Sequence, residues 1–209
     1  MITTIKAATA IAGSLSKPSK MPGHTYGLPA EECQVGARLV GIVGSVCDNC
    51  YALKGFYKTY AKTVKPAQYK RLGAAVKHPL WIDAMVVLIS RSGDSHFRWH
   101  DSGDLQSIDH LRRIVQVCER TPDVIHWLPT REYRYVLMYL RAFGPLPTNL
   151  TVRLSAHMLD KVAPDLGLPT STVVTDDTYT CPASVQNNEC RDCRDCWNPN
   201  VSNVAYKAH

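Results

Sequence analysis

The sequence predicts an α/β fold, a partial (β/α) barrel of about five parallel strands with a cysteine-rich C-terminal metal-binding segment. Three observations carry that expectation. From residue 96 onward, short β-branched and aromatic runs alternate with helical periodicities. Polar clusters follow the ends of those runs, where parallel sheets place their ligands. The chain has 209 residues, fewer than the roughly 250 of a full eight-unit barrel. The expected division is 1–178 for the partial barrel and 179–209 for the cysteine-rich segment.

The elements follow in order. The stretch after Lys6 mimics a signal peptide, but its apolar part is too short and too small in side chain. No apolar run approaches the roughly 20 residues that span a bilayer. The expected location is therefore the cytoplasm, with no membrane partner. Residues 14–28 are rich in turn formers and should be irregular. A first strand is expected at 38–43, leading into a cysteine loop. Helical patterns follow at about 51–63, 66–77 and 79–91, with Pro66 and Pro79 at helix starts. Strands are expected at 96–100, 124–128, 150–154 and near 172–175. Helices are expected at about 105–119, from Glu132 to about 142, and briefly after His157. Cys118 shares an apolar stripe with Leu111, Ile114 and Val115 and reads as core.

Three polar clusters fall at the expected carboxyl ends of strands: Asp101, Ser102, Gly103 and Asp104; Thr130, Arg131 and Glu132; Arg153, Ser155 and His157. Their convergence on one face predicts a ligand site. Ser102 and Asp104 also suit the role of helix caps.

The other seven cysteines form two groups. Cys181, Cys190, Cys193 and Cys196 make a Cys-Pro followed by Cys-x2-Cys-x2-Cys, spacing that suits an iron–sulfur cluster. Four thiolates also make a closed zinc site, so zinc is the alternative there. Cys33, Cys47 and Cys50 supply three ligands. Three thiolates leave one iron of a [4Fe–4S] cluster open, which suits chemistry more than scaffolding. A zinc site completed by His24 is the competing reading.

Charge is uneven. Residues 1–80 hold 11 basic and 3 acidic side chains, and residues 81–209 hold 13 and 15. A basic first third suits a polyanion such as nucleic acid, or a solvated lysine-rich surface. No phosphate loop, dinucleotide fingerprint, His-Glu-x-x-His motif or Gly-x-Ser-x-Gly elbow is present. No His-x-Glu accompanies the Cys-x-x-Cys pairs, which argues against a zinc deaminase.

Two resemblances apply. Ser14-Leu-Ser-Lys-Pro-Ser-Lys-Met-Pro-Gly-His24, with Gly44-Ser-Val-Cys-Asp-Asn-Cys-Tyr-Ala-Leu-Lys-Gly55, resembles the actinobacteriophage family known as gene product eighty-eight, which implies a phage origin and a host-cell cytoplasmic location. More remotely, Cys47-Asp-Asn-Cys50-Tyr-Ala resembles the end of the cluster loop in a radical S-adenosylmethionine (SAM)-like phage family, where a third cysteine lies upstream as Cys33 does. Asp101-Ser-Gly-Asp-Leu105, Thr130-Arg-Glu132 and Val152-Arg-Leu-Ser155 resemble shorter motifs of that family. The thirteen-residue first gap, and Asn49 before Cys50 in place of an aromatic, depart from the usual Cys-x3-Cys-x2-Cys loop.

The second resemblance implies a radical SAM-type enzyme. Cys33, Cys47 and Cys50 would hold one [4Fe–4S] cluster, and the C-terminal cysteines a second. SAM would lie against the strand-end residues Ser102, Asp104, Arg131, Glu132, Arg153 and Ser155. Arg131 or Arg153 would meet its carboxylate, and Asp104 or Glu132 its ribose hydroxyls or ammonium. An electron donor would be a partner. DNA or a nucleotide is the expected substrate, with Lys17, Lys20, Lys54, Lys58 and Lys62 on its phosphates. The alternatives are a non-catalytic iron–sulfur or zinc protein that binds nucleic acid or a host protein, and a redox sensor.

Overall fold

The computed structural model describes residues 2–208. Six parallel strands form one open sheet in chain order: β1 (Thr25–Tyr26), β2 (His96–Trp99), β3 (Ile125–Thr130), β4 (Leu150–Ser155), β5 (Thr170–Val174) and β6 (Asn203–Lys207). Among the described residues seven α-helices accompany it: α1 (Ile5–Ala12), α2 (Gln34–Leu39), α3 (Gly55–Thr59), α4 (Ala61–Lys77), α5 (Trp81–Ser90), α6 (Ile108–Glu119) and α7 (Tyr133–Phe143). No helix among the described residues is long and apolar enough to cross a membrane.

Strand alternation assigns the two faces. Phe97 and Trp99 of β2, Leu128 of β3 and Leu150, Val152 and Leu154 of β4 all enter one apolar core. From the helices that core receives Trp81, Met85 and Ile89 of α5, and Leu111, Ile114 and Cys118 of α6. Cys118 is fully buried. Helix α6 starts where the Ser107 hydroxyl accepts from His110 N at 3.0 Å. Helix α7 stops at Gly144, in the left-handed region at φ 87°.

The opposite face carries Arg98, Trp127, Thr151 and Arg153. It is covered by the cysteine-rich C-terminal segment, which joins the sheet through β6. Trp127 there packs with Cys196, Trp197 and Val204 in a second apolar cluster. The indole of Trp197 donates to Phe97 O at 2.9 Å, and Thr151 Oγ1 donates to Trp197 O at 2.7 Å. Arg153 is wholly buried. Its Nη1 donates to Thr170 O (2.8 Å) and Val201 O (3.0 Å), and its Nη2 to Asp195 O (3.0 Å) and Asn198 O (3.1 Å).

Several elements differ from expectation. Residues 38–43 are not a strand. They form the end of α2 and a turned loop, with Val43 88% exposed. Gly41 at φ 78° and Gly44 at φ 81° bend the chain, and the edge position beside β2 belongs to β1. That strand lies inside the segment expected to be irregular. The pattern at 51–63 breaks at Gly55 (φ 49°), and α4 runs through Pro66 instead of starting there. No helix follows His157; residues 156–169 connect β4 to β5 without one. A sixth strand lies in the C-terminal segment.

The Arg153 contacts yield a stability prediction. Arg153→Ala should lower the unfolding free energy by about 2–4 kcal/mol, because four part-buried carbonyls lose a charged donor. Arg153→Lys should recover only part of this, since an ammonium has three donors for four acceptors. Urea unfolding of the three proteins measures both; a loss under about 1 kcal/mol would mean the segment is held by other contacts.

Candidate functional site

A cavity of about 520 Å³ opens at the carboxyl ends of the strands. One wall is the chain between β1 and β2, including Cys33, Gly36, Cys47, Cys50 and Tyr51. The opposite wall comes from the strand ends: Arg98 of β2 and His100 to Asp104 after it, Pro129 of β3 and Arg131 after it, and Ser155 at the end of β4. Ser171 and Tyr206 complete it from β5 and β6.

Specific contacts hold the cysteine wall in place. Glu132 Oε1 accepts from Val35 N at 2.7 Å, and the Gln34 side chain meets Tyr135 and Gln106. Farther along, Val46 N donates to His157 O at 2.9 Å, and Leu159 N to Gly44 O at 2.8 Å. The loop is therefore clamped to the ends of β2, β3 and β4. Gly36 lets its two neighbouring thiols approach. A Cβ placed there would stand 3.0 Å from Cys33 Cβ and 3.6 Å from both Cys33 Sγ and Cys47 Sγ.

The opposite wall is ordered by Asp104. This buried carboxylate accepts from Thr130 Oγ1 (2.6 Å), Arg131 N (2.9 Å) and Leu105 N (2.7 Å). Ser102 donates to Leu28 O and accepts from Gln68 Nε2, so neither residue caps α6. Arg131 Nε donates to Ala156 O at 3.2 Å while the guanidinium lines the cavity. Ser155 Oγ accepts from Ser171 Oγ at 3.1 Å.

The other two strand-end candidates lie off the cavity wall. Glu132 holds Val35, and Arg153 reaches the opposite half of the sheet interior. His24 is not beside the three thiols; it pairs with Asp94 through Nδ1 and its backbone N–H.

Electrostatics set this site apart from an ordinary surface cleft. Burial pushes the Cys33 thiol well up, and Asp104, Cys50, Cys47 and Glu132 push it further. Burial also raises Cys47, which Arg131 partly relieves and Cys50 and Asp104 reinforce. The cavity wall thus carries three thiols and the carboxyl groups of Asp48, Asp101 and Asp104, set against the cations of Arg98, Arg131 and Lys207. Arg98 lies deeper, its guanidinium 4.5 Å from the Trp127 ring centre. Burial opposes its charge, but Tyr51, Asp101, Tyr206 and Cys196 hold it positive.

Sequence reasoning missed Arg98 and His100. His100 has both ring nitrogens buried without a partner among the described residues, and a left-handed backbone at φ 55°. Burial first, then His110 and Arg98, keeps it neutral. The signal available was a charged residue inside a buried parallel strand, His96-Phe-Arg98-Trp-His100.

None of the second cysteine group lines the cavity. Cys181 is the electrostatic neighbour of Cys190, Cys193 and Cys196. Cys181 N donates to Ala205 O and Cys190 N to Lys20 O. Cys196 Sγ lies 3.0 Å from the Tyr206 hydroxyl, and burial pushes that thiol up to about 12. All eight cysteines are free thiols. Among the described residues, no three His, Cys, Asp or Glu side chains stand together in a geometry that would hold a single metal ion.

Asp104 gives a pH prediction. Burial raises its pKa to about 6 from 3.8 despite the three donors, which lower it, while Glu132 raises it further. The folded state therefore binds this proton more tightly than the unfolded chain. The stability it contributes is fully present below about pH 4 and is lost as pH rises through about 6. The loss is about 3 kcal/mol at 1.36 kcal/mol per unit. Unfolding curves at pH 4 to 7 should show this slope in the difference between wild type and Asp104→Asn; a flat difference would rule out a raised pKa.

No curated protein and no solved structure matches the chain. The family model described as Gene product 88, a phage gene product, matches residues 3–199, and the chain belongs to that family.

Proposed function

We propose that this phage protein is an iron–sulfur enzyme of radical SAM type, with a [4Fe–4S] cluster on Cys33, Cys47 and Cys50 and SAM in the adjoining cavity. The observation that carries this reading is the placement of three thiols, and no fourth, on the wall of one cavity at the carboxyl ends of a parallel sheet. We read the open, chain-ordered sheet as a partial barrel, the architecture in which such ends hold active sites. A cluster with three protein ligands keeps one iron open to a small molecule and can supply it one electron, the chemistry that opens an unreactive C–H bond.

The chain's own residues do the binding and positioning. Arg131 offers its guanidinium fork to a carboxylate. Asp101, which lines the cavity beside Tyr51, accepts from an ammonium or hydroxyl. Ser102, Ser155 and His100 supply further polar contacts along the same wall. Asp104 fixes the backbone at Arg131, and Glu132 fixes the loop that follows Cys33. Both act as positioning residues, and Arg153 serves the C-terminal segment. Burial of the wall excludes water from the reacting groups.

The four C-terminal thiols are electrostatic neighbours through Cys181, Cys181 and Cys196 join the second apolar cluster, and none of the four lines the cavity. That placement favours a metal staple, a second cluster or zinc, which fastens the segment over the sheet. An external electron donor completes the enzyme reading.

Anaerobic purification with iron, sulfide and zinc counted tests the assignment. About eight irons per chain are expected for two [4Fe–4S] clusters, or about four with one zinc. Cys47→Ala should remove about four irons and leave the C-terminal metal in place. Electron paramagnetic resonance of the reduced protein should shift when SAM is added. Zinc alone, or a signal indifferent to SAM, would overturn the enzyme reading in favour of a metal-stapled binding protein.

A further inference from the structure

Between Asp48 and Asp83 the chain carries six lysines and Arg71, and no carboxylate. This run forms α3, α4 and the turn leading into them, immediately beside the cavity. Arg71 is buried: its Nε donates to Ser14 O and its Nη1 to Gly27 O. The lysines point outward. Lys65 pairs with Glu31, which removes it from the account. No ion pair among the described residues involves Lys54, Lys58, Lys62 or Lys70. Lys54 hydrogen-bonds the neutral Asn49 side chain, between the two cysteines of the loop.

Tyrosines interleave with these lysines. Tyr51 is 59% exposed, Tyr60 53% and Tyr69 44%. The hydroxyl of Tyr51 is fixed to the Asp101 carbonyl, so its ring stands at the mouth of the cavity with much of its surface in solvent. The Tyr69 hydroxyl is held by Glu32 at 3.0 Å. Exposed aromatic rings are costly to leave in water, and among unpaired cations they suit a polyanion with π faces.

We propose that the α3–α4 face binds single-stranded nucleic acid, with Lys54, Lys58, Lys62 and Lys70 on its phosphates and bases stacked on Tyr60 and Tyr51, leading the strand to the cavity mouth. A single strand is preferred over a duplex because its bases are free to stack, and because a reacting nucleotide must leave the helix to enter a concave site. This deepens the enzyme reading by naming its substrate class, while the binding itself needs no cluster.

Fluorescence anisotropy with a labelled single-stranded oligonucleotide of about 20 nucleotides, read from about 50 to 200 mM salt, tests it. Binding should weaken steeply with salt, with log K falling by about 0.7 per log salt for each phosphate contact. The double variant Lys58→Gln/Lys62→Gln should reduce that slope by about 1.4, and Tyr60→Leu should weaken binding about tenfold. Lys161→Gln, a neutralisation elsewhere, should change neither, and circular dichroism checks that each variant is folded. The proposal is overturned by no binding at low salt, by tighter binding of duplex DNA or phosphatidylserine vesicles, or by an equal effect of Lys161→Gln. Iron counted on the same samples separates the two readings: full iron with no oligonucleotide binding sinks this surface alone, and binding without iron sinks the cluster alone.

Discussion

A parallel sheet has two faces to cover, and the core-forming helices α1, α4, α5, α6 and α7 cover only one. The strands follow one another across the sheet in chain order, and the apolar residues that alternate along β2, β3 and β4 meet the helices on a single side. The other side would leave Trp127 and the buried length of Arg153 in water. The chain after β5 takes that place, and the guanidinium of Arg153 fastens it through four carbonyls. A charged donor suits this work better than an apolar contact, because irregular backbone laid against a sheet brings carbonyls that need partners. The C-terminal thiols lie in the same segment, so their chemistry and the closure of the sheet are one problem.

Coverage from that side is incomplete, which is why there is a cavity. Residues 194–199 fill the amino-terminal half of the interior, where Trp197 reaches Phe97 and packs on Trp127. The carboxyl-terminal half is left to polar strand ends and the cysteine loop. Arg98 lies between the halves. It interacts with Asp101, Tyr51 and Tyr206 of the cavity wall and with Cys196, whose thiol meets the Tyr206 hydroxyl. One buried cation thus lies within electrostatic reach of both cysteine regions. Asp104 works similarly at the rim, joining the end of β3 to the turn after β2.

The legible parts of the fold were those with strong local periodicity. Helix α6 announced itself by the stripe Leu111, Ile114, Val115 and Cys118, although its cap is Ser107 and not Ser102 or Asp104, and β2 to β4 by short runs between polar turns. Two strands were hidden for different reasons. Strand β1 has only two residues, too few for any period, and β6 is embedded among turn formers. Residues 38–43 failed in the other direction. Their β-branched side chains suit a strand, yet no neighbour is free to pair with them, and Gly41 and Gly44 turn them outward. At the site, the strand-end clusters gave Ser102, Asp104, Arg131 and Ser155 to the cavity. They could not separate these from Arg153 and Glu132, because the direction of a side chain depends on register. Arg98 and His100 were missed because an interior strand position reads as core.

The wide spacing of the first cysteines is a related case, in which sequence separation misstates spatial separation. Thirteen residues lie between Cys33 and Cys47, but they do not extend. Helix α2 carries the chain away, Gly41 and Gly44 turn it, and the bonds from Val46 to His157 and from Leu159 to Gly44 return it to the strand ends. Both thiols then stand near the same point beside Gly36. An excursion of this kind places its cost on the exposed side, where Val40, Ile42 and Val43 meet solvent. It leaves the cavity wall with the same three thiols that a shorter loop would present. What the long gap changes is the support. A compact loop is held by its own turns, whereas this one depends on Glu132 and on the chain after β4, so its geometry is coupled to the ends of the very strands that line the cavity.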